Sequence, residues 1–204
     1  MKNTYAPLLL SLALLLWGHP AGAEKADRDK PMNVEADALR YDDLKQISVF
    51  SGNVVVTKGS IVIRGARVEV RQDPEGYQYG VVTAEPGKLA FYRQKREGVD
   101  EFIEGESQAI EYDGKADRVK FIKQAELRRL RGGTVTDEMV GSLIIYDNSN
   151  DVFSVDGGPG SPAPGGRVRA VLAPRPSASA PAAAAPAAPA AQLRPSTKLD
   201  GSRK

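Results

Sequence analysis

Arg67-Val68-Glu69-Val70-Arg71 alternates charge and apolar bulk over five positions, the period of a strand with one wet face. Working outward, Ile47-Ser48-Val49-Phe50, Val54-Val55-Val56, Ile61-Val62-Ile63, Leu89-Ala90-Phe91 and Val119-Lys120-Phe121 recur with Gly, Asn, Asp or Pro between them. Leu127 and Leu130, within Ala125 to Arg131, hint at helical spacing, but the strand rhythm on either side outweighs them. The body is expected to be all-β.

The pattern also repeats. Ala38-Leu39-Arg40-Tyr41-Asp42, with Phe50 nine residues after its tyrosine, matches Ala109-Ile110-Glu111-Tyr112-Asp113 with Phe121 at the same distance. Leu143-Ile144-Ile145-Tyr146-Asp147 is a shorter third copy, with Phe153 seven residues on. A middle copy would fall near Tyr77, where Gly76-Tyr77-Gln78-Tyr79-Gly80 does not match. Hairpin units that cannot bury an apolar face alone gain stability by stacking, which predicts an elongated stack or roll.

The ends differ from this body. Lys2, the apolar run from Ala6 to Trp17 and Ala21-Gly22-Ala23 read as a secretory signal over residues 1–23, its run too short for a bilayer that needs about 20 residues. The mature chain would then begin at Glu24, outside the cytoplasm, and be soluble. Nine of the 14 prolines lie between Pro159 and Pro195, and Ser177 to Ala191 is almost all Ala, Pro and Ser, so 175–204 is expected to be a disordered tail. Residues 161–204 carry seven Lys/Arg against one Asp, whereas 24–160 carry 20 against 25. A basic tail can touch anionic lipid head groups or keep the chain soluble; the thin spread of its charges favours solubility.

Composition removes most chemistry. Without cysteine there is no disulfide framework, thiolate metal site or cysteine nucleophile. The single histidine, His19, falls in the expected signal, which removes imidazole catalysis and His-ligated zinc from the mature chain. Asp42-Asp43 and Asp73-Pro74-Glu75 sit where turns are expected, and Asp147-Asn148-Ser149-Asn150-Asp151 lacks the glycine and distant glutamate of a calcium loop. No phosphate-cradling glycine loop appears, and Arg128-Arg129-Leu130-Arg131 is too short a basic cluster in an acidic body to indicate nucleic acid. No enzyme, cofactor or metal is expected. The patterning alone leaves two interiors open, a filled core, which is the default, or a ligand cavity.

Asp29-Lys30-Pro31-Met32-Asn33-Val34-Glu35-Ala36-Asp37 and Phe50-Ser51-Gly52-Asn53-Val54-Val55-Val56-Thr57-Lys58-Gly59 closely resemble the LptA family of periplasmic lipopolysaccharide-transport proteins, in the OstA-like superfamily. The likeness continues through Phe91-Tyr92, Glu104-Gly105 and Gly166-Arg167-Val168-Arg169-Ala170-Val171-Leu172-Ala173-Pro174, and so spans about 29–174 of a 24–174 body. It implies a β-jellyroll folded into a slightly twisted V, no enzymatic activity, and an apolar groove that binds lipopolysaccharide through the lipid A acyl chains. It further implies a head-to-tail homo-oligomer that bridges the two membranes and docks related jellyroll domains of inner- and outer-membrane transport components, without inserting in a membrane. This reverses the default of a filled core.

By the same resemblance Met32, Val34, Phe91 and Tyr112 should line the groove. Strand alternation adds Ile110, the repeat adds Leu39 and Tyr41, and shared parity adds Phe50, Val54, Val56, Ile61, Ile63, Val119 and Phe121. For these additions ordinary core packing is an equal alternative. Arg128-Arg129 departs from the family pattern and leaves the register near Leu127 open. Two other functions stay in view: a discrete periplasmic carrier of lipid or lipoprotein, and a structural envelope β-stack without ligand.

Overall fold

The alternating stretches form twelve strands, and among the described residues there is no α-helix. They are β1 (Met32–Glu35), β2 (Ala38–Asp42), β3 (Ile47–Lys58), β4 (Ile61–Gln72), β5 (Gln78–Thr83), β6 (Ala90–Lys95), β7 (Glu101–Ser107), β8 (Ala109–Asp113), β9 (Arg118–Arg131), β10 (Thr134–Asp147), β11 (Val152–Asp156) and β12 (Arg169–Leu172). The structure, a computed structural model, describes residue 27 and residues 30–96 and 98–174. The expected signal and tail lie outside the described residues. The chain divides into Met1–Ala173 and Pro174–Lys204, and the strands belong to the first unit.

Every pairing is antiparallel, and four long strands give the sheet its form. The first half of β4 pairs with β6 and the second half with β5; the first half of β9 pairs with β8 and the second half with β7. Since β5 also pairs with β8, and β6 with β7, strands β4-β5-β8-β9-β7-β6 close into a ring. Outside the ring, β3 runs along all of β4 and β10 along all of β9. The result is two facing layers. The first carries β2, the start of β3, the end of β4, β5, β8, the start of β9, the end of β10 and β11. The second carries β1 and β12 at its margins, β6 and β7, and the other halves of the long strands.

Each long strand changes layer at a break in its ladder. In β3 the register shifts between Ser51 and Val54, where Gly52 and Asn53 take φ of 80° and 47°. Asn53 is held there by its Nδ2 donating to Asp37 at 3.0 Å. In β9, Lys123 and Gln124 occupy the same left-handed region at 60° and 50°, which is costly for residues with a Cβ and persists because surrounding contacts fix it. There the Lys123 carbonyl accepts from Gln108 N–H at 2.9 Å and Gln124 N–H donates to Gly160. In β10 the shift lies between Gly141 and Leu143. Such bulges let a continuous strand bend from one sheet into the next.

The sequence repeat is the hairpin of the first layer. Tyr41, Tyr112 and Tyr146 are the penultimate residues of β2, β8 and β10, and the aspartate that ends each strand caps the turn: Asp42 accepts from Lys45 N–H, Asp113 from Lys115 and Ala116 N–H, and Asp147 from Ser149 N–H. The copy missing from the sequence is present as β4–β5, where Gln72-Asp73 replaces Tyr-Asp and Asp73 accepts from Glu75 and Tyr77 N–H. The acidic pairs are thus turn residues, as their composition suggests. The register near Leu127 is now defined, with Gly105 on one side and Met139 on the other, and Ala125–Arg131 is strand.

Side chains of one parity in each layer point between the layers. Phe121 of the first layer and Tyr92 of the second meet there edge to face at 5.6 Å, and both are 0% exposed. Gly105 lies under the Phe121 ring, where an added methyl would collide with it. Overpacking of this kind typically costs about 1–3 kcal/mol. Gly105→Ala is therefore expected to lower the unfolding free energy in urea by about 1–3 kcal/mol, read as a lower midpoint at an unchanged slope.

Candidate functional site

The space between the layers is lined by the apolar core of the described residues. Eight of the predicted groove residues, Val54, Val56, Ile61, Ile63, Ile110, Tyr112, Val119 and Phe121, are buried in it. Met32, Val34 and Phe50 are half-buried and pack against the same cluster. Leu39 and Tyr41 sit on β2 with the inward parity of their partners Phe50 and Ser48, but they remain 60% and 53% exposed. Met32, Val34, Tyr41 and Phe50 surround a cavity of about 190 Å³.

Phe91 is placed otherwise. In β6 the inward positions are Ala90, Tyr92 and Gln94, so Phe91 shares the outer face with Arg93 and Lys95 and lies beneath the Arg64 guanidinium, 5.4 Å from ring centre. The expectation that Phe91 faces the groove is corrected: strand alternation turns Tyr92 toward the space between the layers and Phe91 away from it. The charges two and four residues on, Arg93 and Lys95, were the available signal. Sequence reasoning also missed Tyr146, although it is the third tyrosine of the repeat, and Ile103, Leu127 and Ile144, all buried between the layers.

The expected open groove is also revised. Around Phe121 and Tyr92 the two layers touch, and free space remains at the β1–β2 end. Uncovered apolar surface costs about 25 cal/mol per Å² in water, which favours the contact of the two apolar faces. At each end of the roll the layers finish in strands paired on one side only: β1 and β2 on β3, β11 and β12 on β10. Apolar side chains are left exposed beside these edges, Leu39 on β2 and Leu172, at 65%, on β12.

Along the free margin of the layers, opposite the bends, the interior turns polar. Buried Tyr92 donates its hydroxyl to Gln94 at 2.7 Å, and Lys58 Nζ reaches the Lys30 carbonyl at 2.9 Å and Gln78 of the first layer at 3.4 Å. Glu101, 4% exposed, is held by Arg131 and Arg96, with Arg129 Nε at 4.0 Å. Arg96 extends to Asp151, in the β10–β11 turn of the first layer, at 2.7 Å. Arg129 also pairs with Asp137 at 2.8 Å and lies 5.4 Å from the Phe153 ring centre. Polar groups thus tie the two layers together along the mouth. Among the described residues no three His, Cys, Asp or Glu side chains could hold a metal ion, and no helix is long and apolar enough to cross a membrane.

Residues 33–152 match the family model described as LptA/(LptD N-terminal domain) LPS transport protein. The chain is similar to lipopolysaccharide export system protein LptH of Pseudomonas aeruginosa, 32% identical over 171 residues, covering 83% of this chain and 94% of that one. It is likewise similar to lipopolysaccharide export system protein LptA of Escherichia coli K12, 30% identical over 168 residues, with 82% and 84% covered. The crystal structure of Pseudomonas aeruginosa LptH, titled the LptA-homologous periplasmic component of the lipopolysaccharide transport device, superimposes with a TM-score of 0.62 at 28% identity over 73% of this chain and 99% of that one.

Glu101 makes stability depend on pH. The hydrogen bond from Arg131, helped by Arg96, outweighs burial and holds its carboxyl below the ordinary value of 4.5. A carboxyl depressed in the folded state contributes stability above its unfolded value and loses it as pH falls through the folded one. The melting-temperature difference between the native chain and Glu101→Gln is therefore expected to be full at pH 7 and to shrink once pH drops below about 4.5, which a thermal-melt series across pH checks.

Proposed function

This chain belongs to the family of LptA and LptD N-terminal-domain lipopolysaccharide-transport proteins, and from that membership we propose that it is a periplasmic, non-enzymatic conduit holding lipid A acyl chains between its layers. The observation that carries the reading is the cross-section: an apolar interior, polar along its margin, continued at both ends by strands paired on one side only. An acyl chain crossing water loses about 0.8 kcal/mol for each exposed methylene, so a transport protein must keep it covered throughout. Sliding between two apolar faces does that, and displacing one set of apolar contacts by another of similar size leaves no deep trap.

The ends support assembly. β11 and β12 of one copy can pair with β2 and β1 of the next, so both layers continue across the junction and the interior with them. Related jellyroll domains in the inner- and outer-membrane components would dock by the same edges. This favours a bridge over a discrete carrier, whose lipid cavity would be shut at both ends, and over a scaffold, which needs no polar margin.

Val34→Asp and Phe50→Asp place a charge at the open end of the interior and are expected to reduce lipopolysaccharide binding at least tenfold while the β circular-dichroism spectrum is kept. Phe91→Asp, on the outer face, should bind as the native chain does. Binding retained in both inward variants would remove the acyl chains from this site. Ala173 N–H donates to the Thr136 carbonyl, so by the two-residue phase of an antiparallel ladder the Ala170 N–H faces the open edge of β12. Ala170→Pro is expected to abolish concentration-dependent growth in light scattering without lowering the monomer's melting temperature by more than a few degrees, since that edge carries no core residue.

A further inference from the structure

Arg96 follows β6 and is 15% exposed, seated between two carboxylates. Glu101 belongs to its own hairpin, and the Arg96 N–H donates to the Glu101 carbonyl at 2.9 Å. Asp151 comes from the opposite layer and takes Arg96 Nη2 at 2.7 Å and Nε at 3.3 Å, a two-pronged contact. Guanidinium grips carboxylate and phosphate with the same fork. Asp151 is the accessible partner, its side chain 53% exposed against 6% for that of Glu101.

The surroundings are cationic once Asp151 is set aside. Arg129 and Arg131 also converge on Glu101, so three arginines face Glu101, Asp137 and Asp151. Arg129 Nε is buried without a hydrogen-bond partner among the described residues. Two residues inward on the same faces stand Ile103 and Leu127, both buried. The step from apolar floor to cationic margin therefore spans about 7 Å of strand. It matches an amphiphile whose anionic group sits beside its acyl chains.

We propose that Arg96 is a phosphate-binding group at the mouth of the interior and that Asp151 is its resident stand-in, displaced by a lipid phosphate when the layers part. This rests on the reading that acyl chains occupy the interior. Parting the layers withdraws Asp151 and leaves three arginines with two carboxylates. A partly buried guanidinium without its partner is costly, so the mouth resists opening until another anion arrives. A phosphate entering with the acyl chains supplies it, and Asp151 returns when the lipid moves on. Admission of lipid and engagement of its head group become one event.

The test is the affinity of the full chain for bisphosphorylated lipid A relative to the same lipid stripped of phosphate. The native chain should favour the phosphorylated form, Asp151→Asn should widen that preference, and Arg96→Gln should shrink it about tenfold toward unity. Arg96→Lys, which keeps a charge on Glu101 without the fork, should fall between and serves if Arg96→Gln does not fold. An unchanged ratio in the Arg96 variants, or no gain in Asp151→Asn, overturns the site. A native chain that binds both lipids equally also overturns it while leaving the conduit intact; one that binds neither overturns both. Inorganic phosphate at the lipid's concentration should not shift the melting temperature of Asp151→Asn, and a shift that phosphorylated lipid A fails to reproduce would assign the site to free phosphate instead.

Discussion

Four strands serve two sheets at once. β3, β4, β9 and β10 each pair in one layer for half their length and in the other for the rest, and the ring of β4, β5, β8, β9, β7 and β6 closes only because they bend. A strand presents alternate residues to opposite faces, so a shift of one position at a bend would turn half of each strand inside out. The left-handed pairs Gly52-Asn53 and Lys123-Gln124 set that parity, which is why Val54, Val56, Phe121 and Leu127 all reach the same space.

From this follows an interior with a graded wall. It is apolar near the bends, at Ala90, Ala125 and Ile144, apart from Ser107, whose hydroxyl donates to the Ala109 carbonyl, and it carries Lys58, Gln94 and Glu101 toward the mouth. The hydrophobic effect holds the two faces together, with Phe121 filling the space above Gly105. The margin is then held by charge and hydrogen bonds, which reform readily, whereas a margin sealed by apolar packing would resist a ligand that must enter and leave. Packed apolar faces and a lipid-transport role agree on this view. Covering the apolar faces is needed whether the cover is the opposite layer or an acyl chain.

Much of this was legible in the amino-acid sequence, for a plain reason. Alternation reports strands directly, so Arg67 to Arg71 and its neighbours predict the all-β body, and the Tyr-Asp repeat marks the first-layer hairpins. Turn chemistry was equally open, since Asp42, Asp73, Asp113 and Asp147 do in the structure what aspartates do at turns. Parity was harder. Phe91 resembled a groove residue by family likeness, yet Arg93 and Lys95 on its face place it outside. The bend at Lys123-Gln124 carries no sequence mark, because neither residue prefers a positive φ and only contacts with Gln108 and Gly160 hold it. The mouth cluster was invisible for a related reason: Arg96, Glu101, Arg129 and Asp151 are brought together by topology across 55 residues of chain.

The central claim is that the layers separate along this margin when lipid enters. Spin labels on cysteines introduced at Val99, in the β6–β7 loop, and Asn150, in the β10–β11 turn, would face each other across it in a chain that has no cysteine of its own. Pulsed electron-electron distance measurement on the pair, with and without lipopolysaccharide, should show the distribution move to longer separation in proportion to lipid bound. Saturating lipid with an unmoved distribution would contradict the account.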